Sequence, residues 1–365
     1  MSIVFENIKN SVVLLRADLN EPIVDGVIQS TKRLDASLST IAELLSRKNK
    51  IILISHHSDK GQSLLPISIY IQKVFPDLQF INSTDMEIVS ECVSQYKNTN
   101  LIMLENTRFF GNNASKNDDE NNSVEFAKYL AGLAEYFVYD AFSVAHRAHA
   151  TTVGISQFIP HTLGPIARRE LEALSKVLNP KKPELVILGG AKLSTKLPLV
   201  ETFLKNGAAV YLGGAMAHPI LQARGVDIKN SYTENITVSK EIVNNKNLIV
   251  PSDYIWDKKN DNKIVDAGHN SMQNLHKLID GSKTILWNGP LGLYEEGYVE
   301  GTHDLVALLD KKSNAENKYI VVGGGDTLTI LDQYKNFSCS YISLSGGAML
   351  EYLANGKLVG IDANM

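Results

Sequence analysis

Leu185-Val-Ile-Leu-Gly-Gly-Ala-Lys192 holds one copy of a pattern that runs through the whole chain. Four apolar residues in a row, closed by glycines, read as a strand covered on both faces. Similar runs stand at 12–15, 51–54, 101–104, 136–138, 209–212, 284–287, 319–322 and 341–343. Between them lie amphipathic stretches. Helical spacing is plain at Leu34, Leu38, Ile41 and Leu45, and again over 124–133 and 166–178. Strands apolar throughout and separated by helices predict parallel sheets with helices on both faces, an α/β fold that is doubly wound.

A chain of 365 residues exceeds one ordinary core and suits two domains. The stretch from Pro165 to Leu178 reads as a helix joining them, since proline is tolerated at a helix start. An amino-terminal domain over 1–164, a helix and linker over 165–182 and a carboxyl-terminal domain over 183–347 follow. The polar run at 111–123 reads as a solvated loop without chemistry.

Composition narrows the function classes. Hydrophobic residues make up 44% and charged residues 21%, as in soluble globular proteins. A net charge of −4 gives no global basic field for nucleic acid or an anionic membrane. Any anionic ligand therefore needs a local basic cluster. Cys92 and Cys339 stand far apart without metal spacing and read as reduced thiols. The opening residues lack a basic n-region and a long apolar stretch, so no signal peptide is expected. A cytoplasmic monomer is the expectation.

In open α/β sheets, ligands bind beyond the carboxyl ends of the strands. In the first half of the chain those ends carry charge. They hold Arg16, Asp18 and Asn20, with Arg33 opening the next helix; Ser55, His56 and His57; Glu105 to Arg108; and Asp140 leading to His146-Arg147-Ala148-His149. Arginines converging on one rim suit a small polyanion, because guanidinium pairs with carboxylate or phosphate in a bidentate way. The alternative is structural ion pairing, which for Arg16, Glu105 and Asp140 stays open. The histidines lack a carboxylate or cysteine at ligand spacing, which argues against a metal there.

In the second half the strand ends carry glycine: Gly189-Gly190-Ala191-Lys192, Gly213-Gly214, Asn288-Gly289-Pro290, Gly323-Gly324-Gly325-Asp326-Thr327 and Ser345-Gly346-Gly347. Glycine at a strand-to-helix turn lets backbone N–H groups approach phosphate oxygens. Lys192 and Lys196 add mobile charge, and Asp326 could hold Mg²⁺ bound to phosphates. A nucleotide-phosphate site is predicted, and with it a transferase whose domains close over two substrates to exclude water.

Arg16-Ala-Asp-Leu-Asn20, Arg33, Ser55-His56, Leu104-Glu-Asn-Thr-Arg-Phe109 and Ala145-His-Arg-Ala-His149 resemble the amino-terminal domain of phosphoglycerate kinases. Leu188-Gly-Gly-Ala-Lys192 with Lys196, Trp287-Asn-Gly-Pro290 with Glu295, Gly323-Gly-Gly-Asp-Thr327 and Gly346-Gly347 resemble the carboxyl-terminal domain. The resemblance implies 3-phosphoglycerate or 1,3-bisphosphoglycerate on Asp18, Asn20, Arg33, His56, Arg108 and Arg147. It implies ADP or ATP on Lys196, Gly213, Gly214, Asn288, Glu295, Gly324, Gly325, Asp326 and Thr327, with Mg²⁺ on Asp326. Arg33, Lys192 and the amides of Gly324 and Gly347 would stabilise the phosphoryl group in flight. The last residues, 348–365, would return to the amino-terminal domain. The acceptor carboxylate is already ionised at neutral pH, so no strong base is needed.

The sequence departs from that pattern in several places. Where the family usually reads Ser-His-Leu-Gly-Arg-Pro, the chain has Ser55-His56-His57-Ser58-Asp59-Lys60. Asp59 thus stands at a substrate-phosphate position normally held by arginine, with Lys60 a possible substitute. Tyr139 replaces an asparagine, Ser143-Val144 a Gly-Thr pair, and Ser345 and Ala215 each a glycine. Three rivals remain: a same-fold kinase for another phosphorylated carboxylate, a catalytically silent relative, and a dinucleotide-dependent dehydrogenase. The last lacks a complete G-x-G-x-x-G after a strand.

Overall fold

All nine apolar runs form strands; eight are buried nearly throughout, and the ninth, Tyr341–Ser343, leaves Ile342 exposed. A computed structural model describes residues 2–59, 61–96, 99–111, 117–178, 184–257, 262–315 and 318–365. These residues fall into two units, Met1–Glu172 with Lys357–Met365 and Ala173–Gly356. The division lies inside a helix.

Unit 1 contains β1 (Val12–Ala17), β2 (Ile23–Val24), β3 (Val27–Ile28), β4 (Lys50–Ile54), β5 (Gln79–Ile81), β6 (Leu101–Leu104), β7 (Tyr136–Asp140) and β8 (His161–Leu163). Six of them form a parallel sheet in the order β5-β6-β4-β1-β7-β8, and β2 pairs with β3 as a small antiparallel hairpin. Helices α1 (Lys32–Ser46), α2 (Leu65–Gln72), α3 (Met86–Gln95) and α4 (Val124–Gly132) connect them. Leu34, Ile41 and Leu44 of α1 lie in one buried cluster with Val13 and Leu15 of β1 and Ile51 and Leu53 of β4. That cluster is the 3.6-residue spacing realised as packing.

The helix α5 (Pro165–Leu178) contains the division between Glu172 and Ala173. Asp140, at the end of β7, holds its start. The Asp140 carboxylate accepts the Ala167 N–H at 2.8 Å and the Thr40 hydroxyl at 2.6 Å. Burial pushes its pKa up to about 6.

Unit 2 contains α6 (Leu197–Lys205), α7 (His218–Ala223), α8 (Lys240–Val243), α9 (His269–Gly281), α10 (Glu300–Ala315), α11 (Gly325–Leu331) and α12 (Gly346–Asn355). Its strands are β9 (Leu185–Leu188), β10 (Ala209–Leu212), β11 (Leu248–Ile249), β12 (Tyr254–Asp257), β13 (Lys263–Ala267), β14 (Thr284–Asn288), β15 (Tyr319–Gly323) and β16 (Tyr341–Ser343). The sheet order is β11-β10-β9-β14-β15-β16, again all parallel, with β12 and β13 a separate antiparallel pair. Connections leave β9 toward one edge and β14 toward the other. The crevice between those two strand ends is where such sheets bind ligands.

Two expectations are corrected. The returning segment is Lys357–Met365, carrying α13 (Val359–Asp362), rather than 348–365, because residues up to Gly356 belong to unit 2. Asn364 ties the segment down by donating to the Thr152 carbonyl at 2.8 Å. The polar run at 111–123 is not wholly solvated either. Residues 112–116 lie outside the described ones, but Asp119 is fully buried and accepts the Thr107 hydroxyl at 2.8 Å and the Thr151 N–H at 2.9 Å.

Candidate functional site

Each sheet has its own candidate site at the carboxyl ends of its strands. In unit 1, β1 runs into Arg16, which is buried with 1% exposure. Its guanidinium donates to the Ala17 carbonyl at 2.6 Å and to Thr151 Oγ1 at 3.3 Å. Thr151 sits in a π-helical turn, Ala150–Gly154, and passes its own hydroxyl hydrogen to Asp119. The negative partner of Arg16 is thus one hydrogen bond away, in the run expected to carry no chemistry. Among the described residues, neither Glu105 nor Asp140 forms a salt bridge with an arginine. Glu105 accepts from Ser63 Oγ and the Leu64 N–H, and so orders the start of α2.

His56 follows β4 and is buried. Arg16 Nη2 lies 2.8 Å from His56 Nδ1. Arginine only donates, so Nδ1 accepts and the proton of the neutral ring stays on Nε2. Burial, then Arg16 and Arg108, hold the His56 pKa well below the usual range, so the ring is a neutral hydrogen-bond donor. His57 is locked in the same loop, donating from Nε2 to the Glu21 carbonyl at 2.9 Å.

Arg108, after β6, donates to the carbonyls of His57 and Ser58 at 3.1 and 3.0 Å and lies 3.3 Å from Glu120. Arg33, in the first turn of α1, donates to the Asn20 carbonyl at 2.7 Å, and its Nε lies 3.6 Å from Asp18. Asn20 in turn accepts the Ser58 N–H at 2.8 Å, which joins the loops after β1 and β4. Arg147 is exposed and donates to His146 Nε2 at 3.2 Å. His149 belongs to this cluster too: burial lowers its pKa, with Asp119 opposing and Arg16, Arg147 and Arg108 assisting.

Asp59 is exposed, and its carboxylate accepts the Gly61 N–H at 2.8 Å, closing a turn within its own loop. Lys60 lies outside the described residues.

In unit 2 the glycines fall into two kinds. Gly189 and Gly289 face each other across the crevice between β9 and β14, where a Cβ on either would strike the other loop's backbone. These glycines serve packing. Gly324 has φ +112°, and a Cβ there would lie 2.5 Å from Asn288 Nδ2. That amide donates to the Gly323 carbonyl at 2.7 Å, while its oxygen accepts from Lys196 Nζ at 2.7 Å. Thr327 is buried and its hydroxyl accepts the Gly289 N–H at 2.7 Å. Asn288 and Thr327 therefore hold loops in place. By contrast, Gly325 and Gly347 meet nothing within 4 Å of an added Cβ. Gly325 is the first residue of α11 and Gly347 the second of α12, in the first turns whose N–H groups lack intrahelical partners.

Lys196 is held by Asn288 and by the Gly189 carbonyl at 3.2 Å. Burial draws its pKa down to about 8, with Asp326 opposing. Lys192 is exposed and close enough to Glu234 to help lower that carboxyl's pKa, after the hydrogen bonds from Ser194.

Beside this network lies a cavity of about 260 Å³ whose wall includes Gly190, Gly214, Leu291, Glu295 and Asp326. Gly213 lies under Leu291 rather than on the open side, since its Cβ would be 2.5 Å from Leu291 Cδ2. Much of the wall comes from residues without a chemical signature in the sequence, among them Leu221, Tyr254, Val265 and Leu293. An apolar slot with a few polar groups at its mouth is the usual form of a small-molecule site. Among the described residues no group of three or more His, Cys, Asp or Glu is placed to hold a metal by itself.

A family model described as phosphoglycerate kinase matches residues 4–357. The chain is 32% identical to the phosphoglycerate kinase of Finegoldia magna, over 98% of this chain and 96% of that one. It is 35% identical to that of Baumannia cicadellinicola, over 87% and 86% of the two chains. The solved structure of the Coxiella burnetii enzyme superposes with a TM-score of 0.80 at 31% identity, covering 100% of this chain and 98% of that one. For the Pyrococcus horikoshii enzyme the TM-score is 0.82 at 25% identity, covering 98% and 97%. Likeness of this extent, in sequence and in both parallel-sheet units, places the chain in the phosphoglycerate kinase family.

Proposed function

We propose that this chain catalyses the reversible transfer of a phosphoryl group between 1,3-bisphosphoglycerate and ADP, giving 3-phosphoglycerate and ATP. Lys196 carries the reading. It is a largely desolvated ammonium, held by two carbonyl oxygens, beside a cavity with Asp326 in its wall. An anionic ligand such as a nucleotide phosphate completes its charge.

The nucleotide occupies the unit 2 cavity, with Glu295 toward the ribose and the turn Gly324 to Asp326 toward the phosphates. Asn288 and Thr327 act as positioning residues through Lys196 and Gly289. The Asp326 carboxylate receives no hydrogen bond among the described residues, which suits a single protein ligand to Mg²⁺ otherwise held by phosphate and water. Bound Mg²⁺ would neutralise charge on the phosphate oxygens.

In unit 1, Arg33, Arg108 and Arg147 hold the carboxylate and phosphate of the substrate, His56 donates from Nε2, and Asp18 and Asn20 orient Arg33 and its loop. Arg33, Lys192 and the amides of Gly324 and Gly347 neutralise the phosphoryl group as it moves. No base is required, since the attacking carboxylate is ionised at neutral pH. The protein works as a cytosolic monomer; no helix among the described residues is long and apolar enough to cross a membrane.

The test is a coupled ATPase assay with 3-phosphoglycerate beside a panel of related phosphorylated carboxylates. Acyl phosphate formed from 3-phosphoglycerate supports the reading. Turnover confined to another carboxylate supports a same-fold kinase of different specificity, the reading that Asp59 favours. No product from a folded protein at millimolar substrate rejects both.

A further inference from the structure

We propose that His218 reads the nucleobase, its Nε2 accepting a hydrogen bond from the exocyclic amino group of a 6-aminopurine. The chain then binds adenine nucleotides in preference to 6-oxopurine nucleotides. This rests on the nucleotide reading of the unit 2 cavity and names the group that sets base specificity there.

His218 opens α7 and forms part of the cavity wall, with only 4% of its surface exposed. Its Nδ1 lies 2.5 Å from the Tyr232 carbonyl oxygen. A carbonyl can only accept, so the ring proton sits on Nδ1 and Nε2 presents a lone pair. Burial lowers the pKa of the ring, which keeps it neutral despite the hydrogen bond to Tyr232.

No donor among the described residues reaches Nε2. Two other polar groups of the wall are engaged. Tyr254 donates to the Pro251 carbonyl at 3.0 Å, and Asp266 accepts from the N–H groups of Gly301 and Ala267 at 2.9 and 2.8 Å. Around them, Leu221, Val265 and Leu291 offer apolar surface for a flat ring. Glu295 and Asp326, also in the wall, are exposed, so the base belongs at the buried histidine and the phosphates at the exposed carboxylate.

A 6-oxopurine turns a carbonyl lone pair toward Nε2. The ring cannot move its proton to meet it without giving up the bond to Tyr232. Two facing acceptors, both withdrawn from water, should weaken binding by roughly 10- to 100-fold.

The experiment is a calorimetric titration of the full chain with ADP, with IDP and with purine riboside diphosphate, which lacks any group at position 6. ADP should bind roughly 10- to 100-fold more tightly than IDP, with purine riboside diphosphate between them. His218→Phe keeps a ring of similar size without the acceptor, and should bring the three affinities toward one another. Equal affinities in the unaltered protein overturn the proposal, whether or not His218→Phe folds. An ADP-to-IDP ratio unchanged in a folded His218→Phe variant also overturns it. Ala215→Trp, which fills the cavity mouth, separates the two readings. If it abolishes ADP binding while the unaltered protein fails to discriminate bases, only the role of His218 falls. If ADP still binds to Ala215→Trp, the nucleotide lies elsewhere and both readings fall.

Discussion

The two six-stranded sheets are built on closely related plans and present opposite kinds of rim. Numbered by first appearance, the strands run 3-4-2-1-5-6 in unit 1 and 3-2-1-4-5-6 in unit 2. Unit 1 fills its rim with long cationic side chains; Arg16, Arg33 and Arg108 are held by backbone carbonyls, and the exposed Arg147 by the His146 ring. Unit 2 leaves its rim nearly bare and brings loop backbones into direct contact. The unit 2 order is the one used by dinucleotide-binding sheets, yet this chain lacks their glycine fingerprint and belongs to a kinase family. Fold and chemistry are set at different levels. The difference also says where each rim is fragile: the first to loss of a charge, the second to gain of a methyl group.

The strongest way to break the comparison is to remove one charge from each side. Arg33→Ala and Lys192→Ala should each lower kcat by roughly 10²–10³, as expected for one donor acting on developing charge. Steady-state assays at saturating nucleotide would measure it. If Arg33→Ala keeps most of its kcat, unit 1 does not act on the transferring group and its arginines only bind.

Adding a methyl group tests the other rim. Gly324→Ala must accommodate φ +112° and a Cβ 2.5 Å from Asn288 Nδ2, whereas Gly347→Ala meets nothing within 4 Å. Gly324→Ala should lose about 1–3 kcal/mol of stability, and nucleotide affinity with it. Gly347→Ala should unfold within about 0.5 kcal/mol of the parent, as substitutions in open space do. Urea denaturation of the pair decides whether the two glycines differ in kind.

A pH titration sharpens the contrast at Lys196, a half-buried cation at the rim of unit 2. With a pKa drawn down to about 8, the ammonium loses its proton as pH rises through that value. Nucleotide affinity should therefore weaken above about pH 8, approaching tenfold per unit, and Lys196→Gln should flatten that arm. For folding the sign is opposite. The depressed pKa makes the charged lysine a burden below about pH 8, which is relieved as pH rises toward the unfolded value. Calorimetric titration across pH 7 to 9.5 would show the first effect directly.

The smallest expected effect concerns the one anionic departure at the unit 1 rim. Asp59→Arg should tighten 3-phosphoglycerate binding by about tenfold, by restoring a charge-assisted bond and removing a screened repulsion. Part of that gain is offset by the lost turn contact between Asp59 and the Gly61 N–H. Nucleotide affinity should not change. Unchanged or weaker substrate binding would mean that residue 59 does not face the phosphate.

Much of this was legible in the sequence because central parallel strands must be apolar on both faces, a pattern no other element imitates over so many repeats. The strands not anticipated in the sheets, β5, β8 and β11, are two- or three-residue edge strands, which need no such run. The order of charged strand ends was equally plain, since most of those side chains follow their strand within a few residues, whereas Arg33 stands beyond the β2–β3 hairpin in α1. Asp119 was not. Its run, Asn117-Asp-Asp-Glu-Asn-Asn122, carries the composition of a solvated loop, and only the chain path shows one carboxylate buried behind Arg16.

The amino acids alone thus determined two parallel-sheet units and the kinds of group at their rims, because those follow from local periodicity and from residue type. Which glycines serve packing and which face open space was decided by tertiary approach of one loop to another, a contact between residues 100 positions apart in the case of Gly189 and Gly289. The cavity was decided the same way. Leu221, Val265 and Leu291 are ordinary apolar residues until tertiary folding brings them together with His218 in one wall, where the Tyr232 carbonyl fixes the ring's proton on Nδ1 and leaves the Nε2 lone pair for a ligand.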